Sequence, residues 1–343
     1  MAASPNSKKP LLLRALLGEE TERTPVWLMR QAGRSDPEYR AYREKHSLPL
    51  EKLFRDPEHA YPISLLPKRI GVDAVIFFQD ILTPLAPMGA EFLFRPGPVL
   101  EERIAREDQI EGLQSYDPSE GLPFVGETLS NLRRDLEDDI ALLGFAGAPL
   151  TLLFFMVSGK SPGDGQVAKE FLRERPDLAH QLLEKLSAVT SEYLDYQIES
   201  GAQAVQLFES IADLLSEEEY QEFALPYQVQ VFEGMKSKAP KILFAKQFPH
   251  VGLMKESRAD VLSVSSLRSL SEVREELGED TVLQGNVSNR LLVDGTPEEI
   301  ESAAKNCIMS GAKRGHVLNL DHGILPETPW ENVQVFVKTA RES

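Results

Sequence analysis

Eight short apolar runs recur along the chain, and stretches with helical spacing separate most of them. They occupy residues 26–29, 74–78, 142–146, 204–208, 242–245, 261–264, 282–284 and 316–320. Each is nearly continuous in its hydrophobicity, as strands of a parallel sheet covered on both faces are. The spacing between them predicts helices with legible ends. Asp177 is placed to cap a helix with Leu178, Leu182, Leu186, Val189, Tyr193 and Leu194 inward, and Gly201 to stop it. Thr296-Pro-Glu-Glu299 is a capping box with proline at the first helical position, followed by Ile300, Ala303, Ala304, Cys307 and Ile308. Thr328-Pro-Trp-Glu331 repeats the device before a last helix facing inward through Val333, Phe336, Val337 and Ala340. Eight strands, each followed by a helical segment, predict an α/β chain folded as a single (β/α)8 TIM barrel.

Two stretches interrupt the alternation. Residues 89–104, with Phe92, Phe94, Pro96, Gly97 and Pro98, read as a small hairpin excursion after the second run. Residues 115–122 read as a polar loop before a charged helix over Asn131–Asp139. Met1–Pro10 is small, polar and lysine-containing and reads as a flexible N-terminal tail. Leu11–Leu17, interrupted by Arg14, reads as a first helix, because no small-residue cleavage pattern follows it as in a signal peptide. No linker divides residues 11–343, so they are expected to form one domain.

Composition narrows the function classes. With 42% apolar and 27% charged residues the 343-residue chain is an ordinary globular one. A net charge of −17 and no basic stripe argue against a nucleic-acid partner. An anionic small molecule stays open, because a local arginine cluster governs the field inside its own cleft. The single cysteine, Cys307, excludes an intrachain disulfide and fits a reducing compartment, and no apolar run is long enough to cross a membrane. A cytoplasmic protein is expected.

In such a barrel the site forms at the C-terminal ends of the strands. The first run ends in Arg30, and Gln31, Ala32 and Gly33 lead to Arg34. A guanidinium stays protonated in a protein and its planar fork matches a carboxylate, so two forks four residues apart suit a ligand with several carboxylates. They equally suit pairing with internal Asp or Glu. The other runs end in Asp80, Gly147-Ala148-Pro149, Glu209-Ser210, Lys246-Gln247, Ser265-Ser266, Gly285-Asn286 and Asp321-His322-Gly323. Asp80 and Ser210 are also placed as helix caps would be, and His322 as a satisfied loop histidine would be. Cys307 lies on the apolar stripe of its helix and reads as packing. His316, His322 and Asp321 could be imagined around a metal, but the two histidines are too far apart along a strand to share one ion easily, and no metal is expected. There is no Gly-x-Ser-x-Gly elbow and no phosphate-binding Gly-Lys-Ser loop.

Met29-Arg-Gln-Ala-Gly-Arg34 followed by Pro37-Glu-Tyr-Arg40 resembles the N-terminal signature of the uroporphyrinogen decarboxylase family. Gly144–Leu152 is similar to its second signature, and Gln206–Ser210, Leu283–Asn286 and Asn319–Gly323 match further segments in order. The resemblance implies a cofactor-free carboxy-lyase that takes four acetate carboxyls from uroporphyrinogen III to give coproporphyrinogen III, in haem and chlorophyll synthesis. It also implies a homodimer with facing clefts. By motif position, Arg30 and Arg34 would hold substrate carboxylates on a loop of Gln31, Ala32 and Gly33. Asp80 would accept hydrogen bonds from the pyrrole N–H groups. Ser210, His322 and the residue at position 155 would contact the substrate. The chain departs from the family pattern at Ser35, Asp36, Gln79, Ser288 and Asp321, and at Phe155, where the family uses a tyrosine. Two other readings stand beside this one: a zinc- or corrinoid-dependent methyltransferase of the same superfamily, and a non-catalytic or impaired tetrapyrrole binder.

Overall fold

In the computed structural model, residues 9–311 and 314–343 are described. The tail expected over residues 1–10 falls outside them except for Lys9 and Pro10, and Pro10 is buried at the start of a helix, Leu11–Leu16. The first strand is β1 (Ala74–Ile76). A two-stranded antiparallel pair follows, β2 (Phe92–Phe94) with β3 (Pro98–Leu100). Then come β4 (Ala141–Gly147), β5 (Ala204–Glu209), β6 (Lys241–Ala245), β7 (Val261–Ser263), β8 (Val282–Val287) and β9 (His316–Leu320). Except for the β2–β3 pair, the strands form one parallel sheet in the order β1-β4-β5-β6-β7-β8-β9, with helices on the connections.

The continuous hydrophobicity of the runs is explained by two apolar layers. Ala141, Leu143, Ala204, Ile242, Phe244, Val261 and Val317 turn to an inner cluster, which the helix Leu11–Leu16 covers with Leu12, Leu13, Ala15 and Leu16. Their neighbours Leu142, Val205, Leu207, Leu243, Leu262 and Leu318 turn outward under the helices. The inner layer also carries a polar chain. Trp27 Nε1 donates to Gln284 Oε1 at 2.9 Å, and Gln284 Nε2 donates to Gln206 Oε1 at 2.8 Å and Ser263 Oγ at 2.9 Å.

The sheet has seven strands where eight were expected. Residues 25–29 lie between β9 and β1 but form one bridge, Val26 to Leu318, and no strand. Side chains take the N–H groups that a ladder would use. The Asp73 carboxylate accepts from Val26 N while Arg23 grips it at 2.6 and 2.7 Å. Gln31 Oε1 accepts from Leu28 N and Asn319 Oδ1 from Met29 N. Three expected helix ends also differ. The long helix runs Pro176–Glu199 with Arg175 at its cap, and Asp177 sits in its first turn, bonded to Arg175. The helix read over Asn131–Asp139 is Pro123–Asp135. The last helix, Trp330–Glu342, is capped at Pro329, and the buried Thr328 hydroxyl caps nothing. Thr296 makes its capping box as expected. Among the described residues no helix is long and apolar enough to cross a membrane.

Candidate functional site

Arg30 stands where the segment 25–29 ends, with φ at +60°. That left-handed conformation costs a non-glycine residue about 1–2 kcal/mol. Its neighbours hold it there. Gln31 is fully buried: its N–H bonds Leu28 O, its Oε1 accepts from Leu28 N, and its Nε2 donates to Ala74 O of β1 at 3.0 Å. The Gln31 side chain therefore fastens the loop to the sheet and faces away from any ligand. A Cβ on Gly33 would come within 2.9 Å of Arg30 O, so only glycine fits the turn. Ala32 packs on the small cluster of Tyr39, Leu53 and Ile63 that also carries Phe78, which brings the arginine loop beside the segment leading to Asp80. Arg40 braces the far side by donating to Arg34 O and Ser35 O. Asp36, fully buried, caps the helix Pro37–His46 and pairs with Arg69, whose guanidinium lies over Trp330.

Arg30 and Arg34 are both exposed, and among the described residues neither makes an ion pair or a side-chain hydrogen bond. The alternative that they neutralise internal acids is not realised, although the chain has 54 acidic residues. Burial of part of its length and the charge of Arg34 draw the Arg30 pKa down. The Arg30 stem passes so close to Gly323 that a Cβ there would lie 2.4 Å from its Cδ.

Asp80 plays the capping part that its position allowed. Oδ1 accepts from Leu82 N at 2.7 Å and Oδ2 from Thr83 Oγ1 at 2.9 Å, which starts the 3₁₀ turn Thr83–Leu85. Burial raises its pKa, against the pull of these bonds and of the Arg55 charge. Gln79 donates to Phe54 O and accepts from Asp80 N.

His322 follows β9, its ring edge-on to Phe244 at 5.8 Å. Burial, with the charges of Arg30 and Lys246, pulls its pKa down to about 4, so it is neutral at physiological pH. Lys246 pairs with Asp213 at 2.9 Å. Asp321, next to His322, is buried and saturated: it accepts from Gln247 Nε2, Ser266 Oγ and Asn289 N. His316 is directed elsewhere, with Nε2 3.0 Å from Gly285 O. Among the described residues no three His, Cys, Asp or Glu side chains are grouped to hold a metal ion.

Phe155, on the helix Pro149–Ser158, is half-buried and edge-on to Phe92 of β2 at 6.3 Å. Ser210, half-buried after β5, donates its N–H to Thr151 Oγ1 at 2.8 Å. Sequence reasoning passed over the polar group behind it. Thr151 Oγ1 donates to Glu209 Oε1 at 2.6 Å, Gln228 Nε2 donates to Glu209 Oε2 at 3.1 Å, and Tyr220 OH donates to Gln228 Oε1. The signal was available, since Thr151 and Phe155 are one helical turn apart. Three surface concavities elsewhere on the chain contain none of these strand-end residues.

The close approach of Arg30 to Gly323 gives a direct test of the grouping. Gly323→Ala should displace the guanidinium and raise the KM for a polycarboxylate substrate about tenfold, with a smaller change in kcat. Steady-state kinetics on the purified variant measures it, and an unchanged KM would detach Arg30 from binding.

The family described as Uroporphyrinogen decarboxylase (URO-D) matches residues 7–343. A uroporphyrinogen decarboxylase of Trichodesmium erythraeum is 41% identical, with 98% of this chain and 96% of the relative aligned. One from Prochlorococcus marinus (strain MIT 9313) is also 41% identical, over 98% and 97%. Among solved structures, a methyltransferase from Methanosarcina mazei superposes with a TM-score of 0.82 at 23% identity, over 98% of this chain and 99% of that one. A B12-independent methionine synthase from Shewanella sp. W3-18-1 gives 0.54 at 12%, over 83% and 88%. At such identities the structural likenesses speak for the fold alone.

Proposed function

The chain belongs to the uroporphyrinogen decarboxylase family, and from that premise we infer how its strand-end residues carry out the reaction. The activity is that of a carboxy-lyase in porphyrin and haem biosynthesis, which removes the four acetate carboxyls of uroporphyrinogen III to give coproporphyrinogen III.

Arg30 and Arg34 bind substrate carboxylates. The observation that carries this reading is that they have no side-chain partner among the described residues, in a chain of net charge −17. A macrocycle with eight carboxylates supplies the partners. His322, neutral beside these cations, offers an N–H to another carboxylate, and Ser210 and Phe155 line the same rim. Loss of CO2 leaves an electron pair on carbon, which most decarboxylases pass to a cofactor. Here the pyrrole, protonated at ring carbon, takes the pair itself. The methylene that remains then gains a proton and becomes the methyl group, while the ring carbon gives up the proton it had taken and the pyrrole is restored. Asp80 accepts hydrogen bonds from the pyrrole N–H groups and stabilises the cationic ring as it forms. Burial makes the bare carboxylate of Asp80 costly, so the approaching N–H donors and positive charge are what restore its solvation.

The remaining parts of the reading concern architecture. The segment 25–29 serves as the eighth stave between β9 and β1, so that residues 11–343 form one (β/α)8 domain, with β2 and β3 as its excursion. Two copies pair with their clefts facing, in the cytoplasm.

Anaerobic incubation with uroporphyrinogen III, followed by separation of the products, tests the function, and coproporphyrinogen is the expected product. Phe155→Tyr should raise kcat/KM about tenfold, because the half-buried ring gains a phenol that can bond a charged group on the substrate. Equal kinetics in the two proteins would remove position 155 from the substrate's contacts.

A further inference from the structure

We propose that Glu209 is a positioning residue for the decarboxylation: its ionised carboxylate, acting through the Thr151 hydroxyl, sets the backbone of Ser210 and the helix that carries Phe155. The inference rests on the decarboxylase reading of the cleft and adds to it a control that lies behind the substrate's contacts.

Glu209 ends β5 with no exposure, and Thr151 has none either. Its neighbour two residues back, Leu207, turns to the outer helix layer, so by strand alternation Glu209 points there too and touches no substrate. What it touches is Thr151, on the first turn of the helix Pro149–Ser158. Thr151 in turn accepts the Ser210 N–H. With Glu209 ionised, the three groups donate in one direction, from Ser210 N–H to the Thr151 hydroxyl to the carboxylate, and each bond polarises the next. Gln228 Nε2 already donates to Oε2, so a proton taken up by Glu209 sits on Oε1 and reverses the last bond. The Thr151 oxygen then accepts from both Glu209 O–H and Ser210 N–H, its own hydrogen must turn away, and the charge that polarised the chain is gone.

Among the described residues this carboxyl has no salt bridge. From the helix Leu225–Gly234, Gln228 donates an amide N–H, and behind it Tyr220 stacks on Phe248 at 4.1 Å in a π-helical turn, Tyr220–Ala224. Such turns recur at functional sites. From β6, Lys246 gives Glu209 O its backbone N–H, but its ammonium is held by Asp213. Burial therefore pushes the Glu209 carboxyl up to about 7, which places the change of state at physiological pH.

The test is kcat and KM for uroporphyrinogen against pH in the wild type, Glu209→Gln and Thr151→Val. In the wild type kcat/KM should fall about tenfold on acidification through the neutral range, mainly through KM. Glu209→Gln gains and loses no proton in this range, so the fall should vanish. Thr151→Val should show the raised KM, about tenfold, at all pH values. A purely structural Glu209 would leave the pH profile of the Gln variant unchanged, and a fall that persists there overturns the proposal, as does an unaltered KM in Thr151→Val. If the wild type forms no coproporphyrinogen at any pH, the decarboxylase reading fails instead. Infrared difference spectra then read Glu209 without turnover. A protonated-carboxyl band should bleach through about pH 7 in the wild type and be missing in Glu209→Gln. Identical spectra in the two proteins overturn the proposal by themselves.

Discussion

Asp80→Asn should yield a folded protein whose turnover of uroporphyrinogen is lower by about 10²–10³-fold, the usual cost of removing one preorganised electrostatic group. The fold survives because asparagine can keep both local bonds. Its Oδ1 still accepts from Leu82 N, and its Nδ2 can donate to Thr83 Oγ1 while that hydroxyl donates to Gln79 Oε1, 2.9 Å away. What is lost is the negative charge, the one feature of Asp80 that its role in the turn does not require. Circular dichroism and thermal melting should match the wild type while kcat collapses. Retained turnover would leave Asp80 as a turn residue only and remove the charge at the macrocycle's centre.

Arg30→Leu should lower kcat/KM by about 100-fold, chiefly through KM, while stability holds or rises. One bidentate charge-assisted contact is worth about 3 kcal/mol, near two decades in binding. The stability half of the expectation follows from the absence of partners among the described residues: the guanidinium makes no bond there, and Arg34 and His322 lose a cation from their vicinity. Leucine, unbranched at Cβ like arginine, meets the same +60° backbone. Urea titration beside steady-state kinetics separates the two halves. A variant that loses stability together with activity would show Arg30 to be part of the scaffold.

Much of this was legible from residue pattern, and the exceptions have physical causes. The runs that became β4, β5 and β9 were visible because both of their faces are apolar, and that signal comes from burial alone. The run at 26–29 has the same hydrophobicity yet makes no ladder, because Gln31 folds back on Leu28 N and because Asp73 and Asn319 supply acceptors from elsewhere in the chain, which no local window contains. Gln31 sits inside the most recognisable motif, and its neighbours suggested a ligand contact, whereas its amide is spent on the backbone of β1. Asp177 failed as a cap because the helix starts two residues earlier than the pattern assumed, with Arg175 at the cap holding the Asp177 carboxylate. Asp321 looked like a departure from a glycine, and its three donors arrive from the ends of β6, β7 and β8, which only the assembled sheet brings together. Glu209 was named at its strand end but given no part, because it faces the helices and its partners Thr151 and Gln228 come from two of them.

The fastening of residues 25–29 sets an order of events during synthesis. Trp27 leaves the ribosome well ahead of its partner Gln284, which lies 257 positions later, and Met29 waits for Asn319, 290 positions on. Contacts of such separation form late. The loop that bears both arginines can be seated only when nearly the last strand exists, so a nascent chain stalled before Asn319 holds most of its sheet and no means of gripping an anion.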